Sequence, residues 1–325
     1  MMELKDICIP IRHEVEQLEQ VLTSHLESRI PFVKSVVDYV IENGGKRLRP
    51  ILTILSARLS GYQGEASLLM GAAIEFMHTA TLLHDDVIDS AQLRRGRKTT
   101  NTKWGNHVSV LVGDFFYCRA MDILVKHGDL KVLQAITDAI TVTTEGEIFE
   151  ITKSNDVSTT EADYLQIITN KTAVLMGAAC QAGGILGSVS EDFEHALKRY
   201  GINLGIAFQL MDDVLDYTSI EAEFGKTNGT DLKEGKLTLP LILVLKKCSD
   251  VEAKVIKNAM IADEVSTELF QQILKIIQQY DGVRDTITLA KSYIQKAKGC
   301  LDPFRPSLEK ETLLTIADYV IFRRQ

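Results

Sequence analysis

The spacing of apolar residues is the feature that most constrains the fold of this chain. In "VEQLEQVLTSHL" (15–26) and "VKSVVDYVI" (33–41) apolar residues recur every three or four positions, which is the period of an amphipathic α-helix. Gly44-Gly45 ends the second segment and Pro50 begins the next, as is usual at helix ends and starts. The same period predicts further helices over 50–60, 66–89, 104–127, 130–152, 161–177, 178–187, 191–217, 237–247, 251–261, 266–280, 283–299 and 306–323.

Strand signals are nearly missing from the sequence. Alternating apolar and polar residues flanked by turn dipeptides are rare, and no repeat of fixed period is visible. The chain has 325 residues, of which 45% are hydrophobic and 25% are charged, as in a soluble protein with a large core. Because it has only 6 prolines and no Ser/Gly/Pro-rich linker, we expect a single all-α domain over 1–325.

Charge and cysteine content narrow the class of partner and the compartment. The formal net charge of −8 argues against a nucleic-acid partner or adsorption to an anionic membrane surface. The 5 cysteines are scattered and never form a CxxC pair, which is typical of free thiols in the cytoplasm. "MMELKDICIP" lacks a signal-peptide pattern, and the longest apolar run, 237–245, is shorter than the roughly 18 residues of a transmembrane helix. We therefore expect a cytoplasmic protein without a transmembrane segment.

Two acidic triplets of the same form, DDxxD, stand far apart in the chain. The first, in "TLLHDDVIDS", contains Asp85, Asp86 and Asp89, and the second, in "FQLMDDVLDY", contains Asp212, Asp213 and Asp216. Residues i and i+4 share one helix face, so the outer carboxylates of each triplet repel by about 0.2–0.5 kcal/mol per pair if nothing neutralises them. Carboxylates without a cysteine or histidine shell suit Mg²⁺, which keeps several waters and bridges to phosphates. Two such clusters favour a divalent-cation site around a highly charged anion such as a diphosphate.

Two basic stretches accompany the acidic triplets. "GGKRLRP" supplies Lys46, Arg47 and Arg49, and the basic segment 90–103, predicted to be a loop, contains "RRGRK" (94–98). Arginine binds phosphate oxygens through a planar fork and lysine as a point charge. Two basic groups and two acidic groups favour two anionic substrates, one of them bound through metal.

The order of these motifs resembles that of the trans-polyprenyl diphosphate synthase family, over nearly the whole chain. The matching segments are "GGKRLRP", "HTATLLHDDVIDSAQLRRG", "GDFF", "EGE", "NKTAVL", "GIAFQLMDDVLDY", "FGKTNGTDLKEGKLTLP" and "ADYVIFRR". The resemblance implies a helical bundle of the isoprenoid (terpenoid) synthase type around a central cavity. It also implies that an allylic diphosphate ionises, is attacked by isopentenyl diphosphate, and loses a proton to give a chain one trans isoprene unit longer.

The resemblance also assigns residues. The metal ligands would be Asp85, Asp89 and Asp212, supported by Asp86 and Asp216, with Mg²⁺ as cofactor at about three ions per site. The allylic diphosphate would be held by Arg94, Lys171, Thr172, Gln209, Lys226 and Lys236. Isopentenyl diphosphate would be held by Lys46, Arg49, His78 and Arg95. The residues expected to carry catalysis are Asp85, Asp89, Lys171, Gln209 and Asp212.

Product length is expected to depend on the helix that carries the first triplet. One helical turn, about 5.4 Å, is comparable to one extended isoprene unit, and Ala80 and Thr81 lie about one turn before Asp85. Short-chain members of the family tend to have Phe or Tyr at the positions of Ala80 and Thr81. Bacterial short-chain members also have a two-residue insertion in the first triplet, which this chain lacks. Small residues here therefore predict a long product of about C30–C50, with octaprenyl favoured, of the sort used for quinone side chains.

The family resemblance also bears on assembly, and it leaves alternative functions open. Members are usually homodimers, and the product of this chain would pass to a membrane. The family often has Gln where this chain has Glu150, a departure whose role the sequence does not define. Alternatives are a shorter-chain farnesyl or geranylgeranyl diphosphate synthase, a non-catalytic subunit, and a terpene cyclase. A phosphohydrolase built on His84 and Asp85 is a further alternative, although the other histidines form no metal-site pattern.

Overall fold

The chain folds almost entirely into α-helices. The computed structural model describes residues 3–218, 229–262 and 265–322. The first half contains α1 (Leu4–Ile7), a 3-10 turn (Ile9–Ile11), α2 (Arg12–Ser24), α3 (Pro31–Glu42), α4 (Leu48–Leu59), α5 (Ala66–Ile88), β1 (Leu93–Arg94), β2 (Arg97–Lys98), α6 (Thr100–Trp104), α7 (Asn106–His127) and α8 (Leu130–Lys153). The second half contains α9 (Glu161–Ile168), a π-turn (Thr169–Ala173), α10 (Val174–Leu186), α11 (Glu191–Thr218), α12 (Thr230–Lys233), α13 (Leu239–Leu245), α14 (Asp250–Met260), α15 (Thr267–Gln279), α16 (Gly282–Cys300) and α17 (Leu308–Phe322).

The predicted helices agree with observed helices over most of their length. The short helices α1, α6 and α12 were not predicted, and three further local differences exist. Gly105, with φ +87°, separates α6 from α7, where one helix over 104–127 was predicted. The predicted helix boundary at 177–178 is wrong, because the helix continues and the irregularity is the π-turn Thr169–Ala173. The predicted basic loop 90–103 contains an antiparallel hairpin, with Leu93 opposite Lys98 and Arg94 opposite Arg97.

The chain divides into two compact units. The first consists of Met1–Ile140, Leu175–Gly201 and Cys300–Ile316, and the second of Thr141–Val174, Ile202–Gly299 and Ala317–Gln325. The expectation of one domain over 1–325 stays a prediction.

Helix α5 is the centre of the first unit and packs against α4, α7 and α2. Its backbone approaches α4 closely, since a Cβ on Gly71 would lie 3.2 Å from Cα of Pro50. The helix is apolar and long enough to cross a bilayer, but 67% of its most apolar window is buried inside the protein, which is the pattern of a core helix. Burial of its large side chains, each contributing about 1.5–3 kcal/mol, fixes the helix that ends in the first acidic triplet.

The second unit has its own apolar core, formed where α13 packs against α9 and α15. Leu239, Leu241 and Val244 of α13 are fully buried, as is Ile273 of α15. Helix α9 begins with a capping box in which Thr160 Oγ1 accepts from the Asp163 backbone N–H and the Asp163 carboxylate accepts from the Thr160 N–H. This packing fixes α9 and the π-turn that follows it.

Candidate active site

The first acidic triplet lies at the C-terminal end of α5. The backbone N–H of Asp89 donates to the carbonyl oxygen of Asp85 at 2.8 Å, so these two half-buried residues are one turn apart. Asp86 points elsewhere: it is 4% exposed, and its Oδ1 accepts from Arg94 Nε at 2.8 Å. Burial raises the pKa of Asp86, while the Arg94 guanidinium opposes that rise.

The β-hairpin holds the basic residues of this unit. Arg95 (φ +53°) and Gly96 (φ +75°) form its tight turn, which leaves Arg94 beside Asp86. Arg95 NH1 donates to the carbonyl oxygen of Asn43 at 3.0 Å. The hairpin is therefore bonded both to the end of α5 and to the segment that follows α3.

Arg47 fixes the conformation of the GGKR segment. It has a left-handed backbone (φ +51°) and is 8% exposed, with NH1 donating to Glu75 Oε1 at 3.0 Å and Nε donating to Glu19 Oε1 at 2.9 Å. A Cβ on Gly44 would lie 2.5 Å from Arg47 NH2, and one on Gly45 would lie 2.7 Å from Arg95 NH2. A side chain at Gly44 would also lie 2.7 Å from the carbonyl oxygen of Ile41, whereas at Gly45 it would meet only the guanidinium of Arg95. This arrangement positions the flanking Lys46 and Arg49.

A cavity in the first unit brings part of the expected isopentenyl site together. Of the predicted residues it is lined by His78, Arg94, Arg95 and Asp86, whereas Lys46 and Arg49 do not line it. Desolvation and the charges of Arg49, Arg95 and Arg94 lower the pKa of His78 well below its ordinary value. His78 is therefore neutral at pH 7 and offers one ring N–H.

The two positions expected to influence product length lie on the same helix, before the triplet. Ala80 is 2% exposed, and Thr81 is half-buried with Oγ1 donating to the His78 carbonyl oxygen at 2.8 Å.

The second triplet lies near the end of α11, and its middle residue is enclosed by protein. Asp213 is 2% exposed; it accepts hydrogen bonds from the Tyr164 hydroxyl and, at 2.9 Å, from Gln209 Nε2. Burial raises the pKa of Asp213 to about 7, although the two hydrogen bonds oppose the rise. Asp212 is half-buried. The Asp216 carboxylate accepts from the backbone N–H groups of residues 230 and 231, at 3.1 and 3.3 Å, and so caps the short helix α12.

The predicted diphosphate-binding residues converge near the π-turn. Thr172 Oγ1 donates to Gln209 Oε1 at 3.0 Å. Lys171 Nζ lies 2.9 Å from Glu147 Oε1 and 2.5 Å from Glu150 Oε2. Lys226 was also predicted to bind here, but it falls in 219–228, outside the described residues.

A cavity in the second unit is lined by several of these predicted side chains, namely Lys171, Thr172, Gln209 and Lys236. It is also lined by Glu150, Tyr164 and Asp231, which the sequence did not single out as ligand-contacting residues. Burial, reinforced by Asp216 and Asp213, raises the pKa of Asp231 well above its ordinary value. Tyr164 has the spacing of a core aromatic residue and Asp231 lies in a polar segment, so no sequence signal separates them from structural residues.

The sequence pattern of one family, polyprenyl synthetase, matches residues 30–277. The chain belongs to the polyprenyl synthetase family.

Relatives within the polyprenyl synthetase family differ in the products that their names state. Octaprenyl diphosphate synthase of Haemophilus influenzae is 38% identical over 304 residues, covering 94% of this chain and 92% of the relative. Geranylgeranyl diphosphate synthase of Methanosarcina mazei is 36% identical over 290 residues and covers 88% of each chain. A solved polyprenyl synthase from Caulobacter crescentus, in complex with calcium and isoprenyl diphosphate, is 37% identical with a TM-score of 0.95, covering 99% of this chain and 98% of that one.

The fold prediction is confirmed by this likeness: the protein has the all-α fold of the isoprenoid (terpenoid) synthases. The aspartate carboxylates of the two triplets are also the type of ligand that the expected cation, Mg²⁺, prefers. Among residues 3–218, 229–262 and 265–322, no three His, Cys, Asp or Glu side chains are placed to enclose an ion by themselves. Asp85 and Asp89 in the first unit, and Asp212 in the second, are half-buried carboxylates, the type of oxygen ligand that suits a hard divalent cation.

Proposed function

We propose that this polyprenyl synthetase is a Mg²⁺-dependent, long-chain trans-prenyltransferase. It condenses isopentenyl diphosphate with an allylic diphosphate and releases an all-trans polyprenyl diphosphate, with octaprenyl as the favoured length. The observation that carries the proposal is the 38% identity with an octaprenyl diphosphate synthase over 94% of the chain. Support also comes from the basic residues that line a cavity in each of the two units.

We propose that the second cavity holds the allylic diphosphate. Lys171 and Lys236 supply positive charge there, and Thr172 and Gln209 supply polar contacts. Lys226 and Arg94 complete the set that the family resemblance assigns. Charge-assisted hydrogen bonds of this kind contribute about 1.5–3 kcal/mol each, and they strengthen as charge builds on the departing diphosphate.

The metal is proposed to be Mg²⁺, at about three ions per site, held by Asp85, Asp89 and Asp212 with Asp86 and Asp216 in support. When bound, Mg²⁺ stabilises the negative charge of the leaving diphosphate. Asp86 and Asp216 already bond to Arg94 and to the α12 backbone, so in this proposal they act by holding structure around the primary ligands.

We propose that the first cavity holds isopentenyl diphosphate. Arg95 and neutral His78 line it, and Lys46 and Arg49 flank the segment that Arg47 fixes. The proton released after attack passes to the departed diphosphate, so no dedicated protein base is required. Small side chains at Ala80 and Thr81 would let the product grow past the first triplet.

Incubation of the protein with isopentenyl diphosphate, farnesyl diphosphate and Mg²⁺, followed by mass spectrometry of the products, tests the proposal. We expect long-chain products, centred on octaprenyl, that disappear in EDTA. Products ending at geranylgeranyl would favour the shorter-chain alternative, to which the Methanosarcina relative points. No elongation, with or without EDTA, would refute the proposal.

Assembly and location are further parts of the proposal. Helix α7 exposes Leu111 (67%), Val125 (69%) and Cys118 on one face, at seven-residue spacing. Such an apolar stripe supports a homodimer through α7. Light scattering should give twice the chain mass, and Leu111→Glu should reduce it. We propose that the enzyme works in the cytoplasm, without a nucleic-acid partner, and passes its product to a membrane.

A further inference from the structure

The two lysines of the second cavity are paired with carboxylates of the chain itself. Glu150 Oε2 lies 2.5 Å from Lys171 Nζ and 3.9 Å from Lys236 Nζ, so one carboxylate lies close to both ammonium groups. Glu147 also pairs with Lys171, and Glu234 pairs with Lys236 at 2.8 Å. The Glu150 side chain is 20% exposed and the two lysine side chains are 23% and 17% exposed, so water screens these charges only in part.

Backbone packing, rather than flexible side-chain reach, brings Glu150 to the first of these lysines. Helix α8 touches the π-turn at Gly146, where a Cβ would lie 2.6 Å from Cβ of Asn170 and 2.8 Å from the backbone nitrogen of Lys171. Glu150 lies one turn beyond Gly146 on the same helix, beside Lys171.

A second backbone contact fixes the other lysine. The backbone N–H of Asn155 donates to the carbonyl oxygen of Gly235 at 2.9 Å. Gly235 has φ +70°, and a Cβ there would meet the Asn155 side chain. Lys236 is thereby held near the end of α8, and Glu150 lies next to both lysines.

We propose that Glu150 is an internal competitor for the diphosphate group: its carboxylate pairs with Lys171, lies 3.9 Å from Lys236, and weakens the hold of both lysines on any diphosphate in this cavity. The inference rests on the proposed function, because it concerns the same cavity. A diphosphate that approaches the two lysines also meets a fixed negative charge within a few ångströms, and like charges at that separation repel strongly in a half-buried site.

The competition bears on release as well as on binding. Each round of elongation leaves inorganic pyrophosphate, which has to depart before the next allylic diphosphate can occupy the cavity. Glu150 can take over the lysine contacts as pyrophosphate leaves, so it lowers the cost of release. Glu150 is thus a positioning residue that acts through the lysines, and it changes KM and kcat in the same direction when release limits turnover.

The test compares two variants that each remove one negative charge with one variant that keeps it, and inorganic pyrophosphate is the probe. Glu150→Gln removes the competing charge, Glu150→Asp keeps it, and Glu145→Gln removes one charge from an exposed position of the same helix. Binding of pyrophosphate in Mg²⁺ is measured by calorimetry, and steady-state kinetics give KM for farnesyl diphosphate and kcat. Circular dichroism checks that each variant is folded.

We expect Glu150→Gln to bind pyrophosphate about tenfold more tightly, with KM and kcat both lowered, and Glu145→Gln to stay within about twofold of the parent. Glu150→Asp, which keeps the charge, should bind pyrophosphate less tightly than Glu150→Gln. Unchanged or weaker binding by folded Glu150→Gln would overturn the inference, as would equal tightening by Glu150→Asp, which would indicate a packing effect. Failure of the parent protein both to elongate and to bind pyrophosphate would instead refute the proposed function.

Discussion

The hydroxyl of Tyr164 donates a hydrogen bond to Oδ2 of Asp213, and both side chains are buried. Asp213 also accepts from Gln209, whose Oε1 accepts from Thr172, so four side chains form one hydrogen-bonded chain. The middle aspartate of the second triplet is therefore bonded to protein. The middle aspartate of the first, Asp86, is likewise bonded to Arg94.

Replacing Tyr164 by Phe should destabilise the protein and misplace Gln209. The substitution leaves a buried carboxylate with one donor fewer, which costs about 1–3 kcal/mol. The free energy of unfolding from urea denaturation checks this, with Tyr117→Phe, at an exposed tyrosine, as the control expected to change it by less than about 0.5 kcal/mol. Equal stability of the two variants would contradict the importance of the Tyr164–Asp213 bond.

Removing Arg47 should be far more costly than removing a surface cation. Glu75 is 5% exposed, and loss of its partner leaves a buried charge unpaired, so Arg47→Ala should lower the free energy of unfolding by about 3–5 kcal/mol. Lys34 pairs with Asp38 on an exposed face of α3, and Lys34→Ala should cost less than about 0.5 kcal/mol. The two variants are compared by urea denaturation under the same conditions. Similar losses of unfolding free energy would show that the buried Arg47–Glu75 pair stabilises the protein no more than an exposed ion pair does.

His78 should make the protein sensitive to mild acid. Its folded pKa is depressed, so below about pH 6.5 the unfolded chain takes up a proton that the folded protein does not. Stability from this residue is present above pH 6.5 and falls with decreasing pH, by up to about 1.4 kcal/mol per pH unit. His78→Gln should flatten the slope measured between pH 6.5 and 5, whereas substitution of exposed His13 by Gln should leave it unchanged. If the unfolding free energy of His78→Gln depends on pH as steeply as that of the parent, His78 is not the cause of the acid sensitivity.

Ala80→Phe should shorten the product. A Phe ring at this position of α5 would narrow the path of the growing product past the first triplet. Ser is close to Ala in size, so Ala80→Ser should leave the product length unchanged. Because Ala80 is 2% exposed, the larger ring also costs about 1–3 kcal/mol in packing. Half-buried Thr81→Phe provides a second variant at the same level. Mass spectrometry of the products decides, and an unchanged length in both Phe variants would contradict the proposed route.

The sequence predicts helices well here because their stability follows apolar spacing that each segment carries itself. It also predicts a metal-binding role for the outer aspartates, since an i, i+4 pair of carboxylates is a local pattern, and that role stays a prediction. It does not predict that Arg94 bonds to Asp86, because that contact depends on the turn at Arg95-Gly96. The pairing of Glu150 with Lys171 is equally hidden, because it depends on the approach of two backbones at Gly146.

The π-turn Thr169–Ala173 has a consequence for how this segment can be altered. A π-turn carries one residue more than the α-helix it interrupts, and one residue corresponds to about 100° of rotation. Buried side chains lie on both sides of the turn: Tyr164, Ile167 and Ile168 before it, and every residue from Leu175 to Cys180 after it. Deleting one residue within 169–173 would restore a regular helix yet turn Lys171 and Thr172 away from their partners. A change of length in this segment should therefore displace the proposed diphosphate-binding side chains even where every other residue is kept.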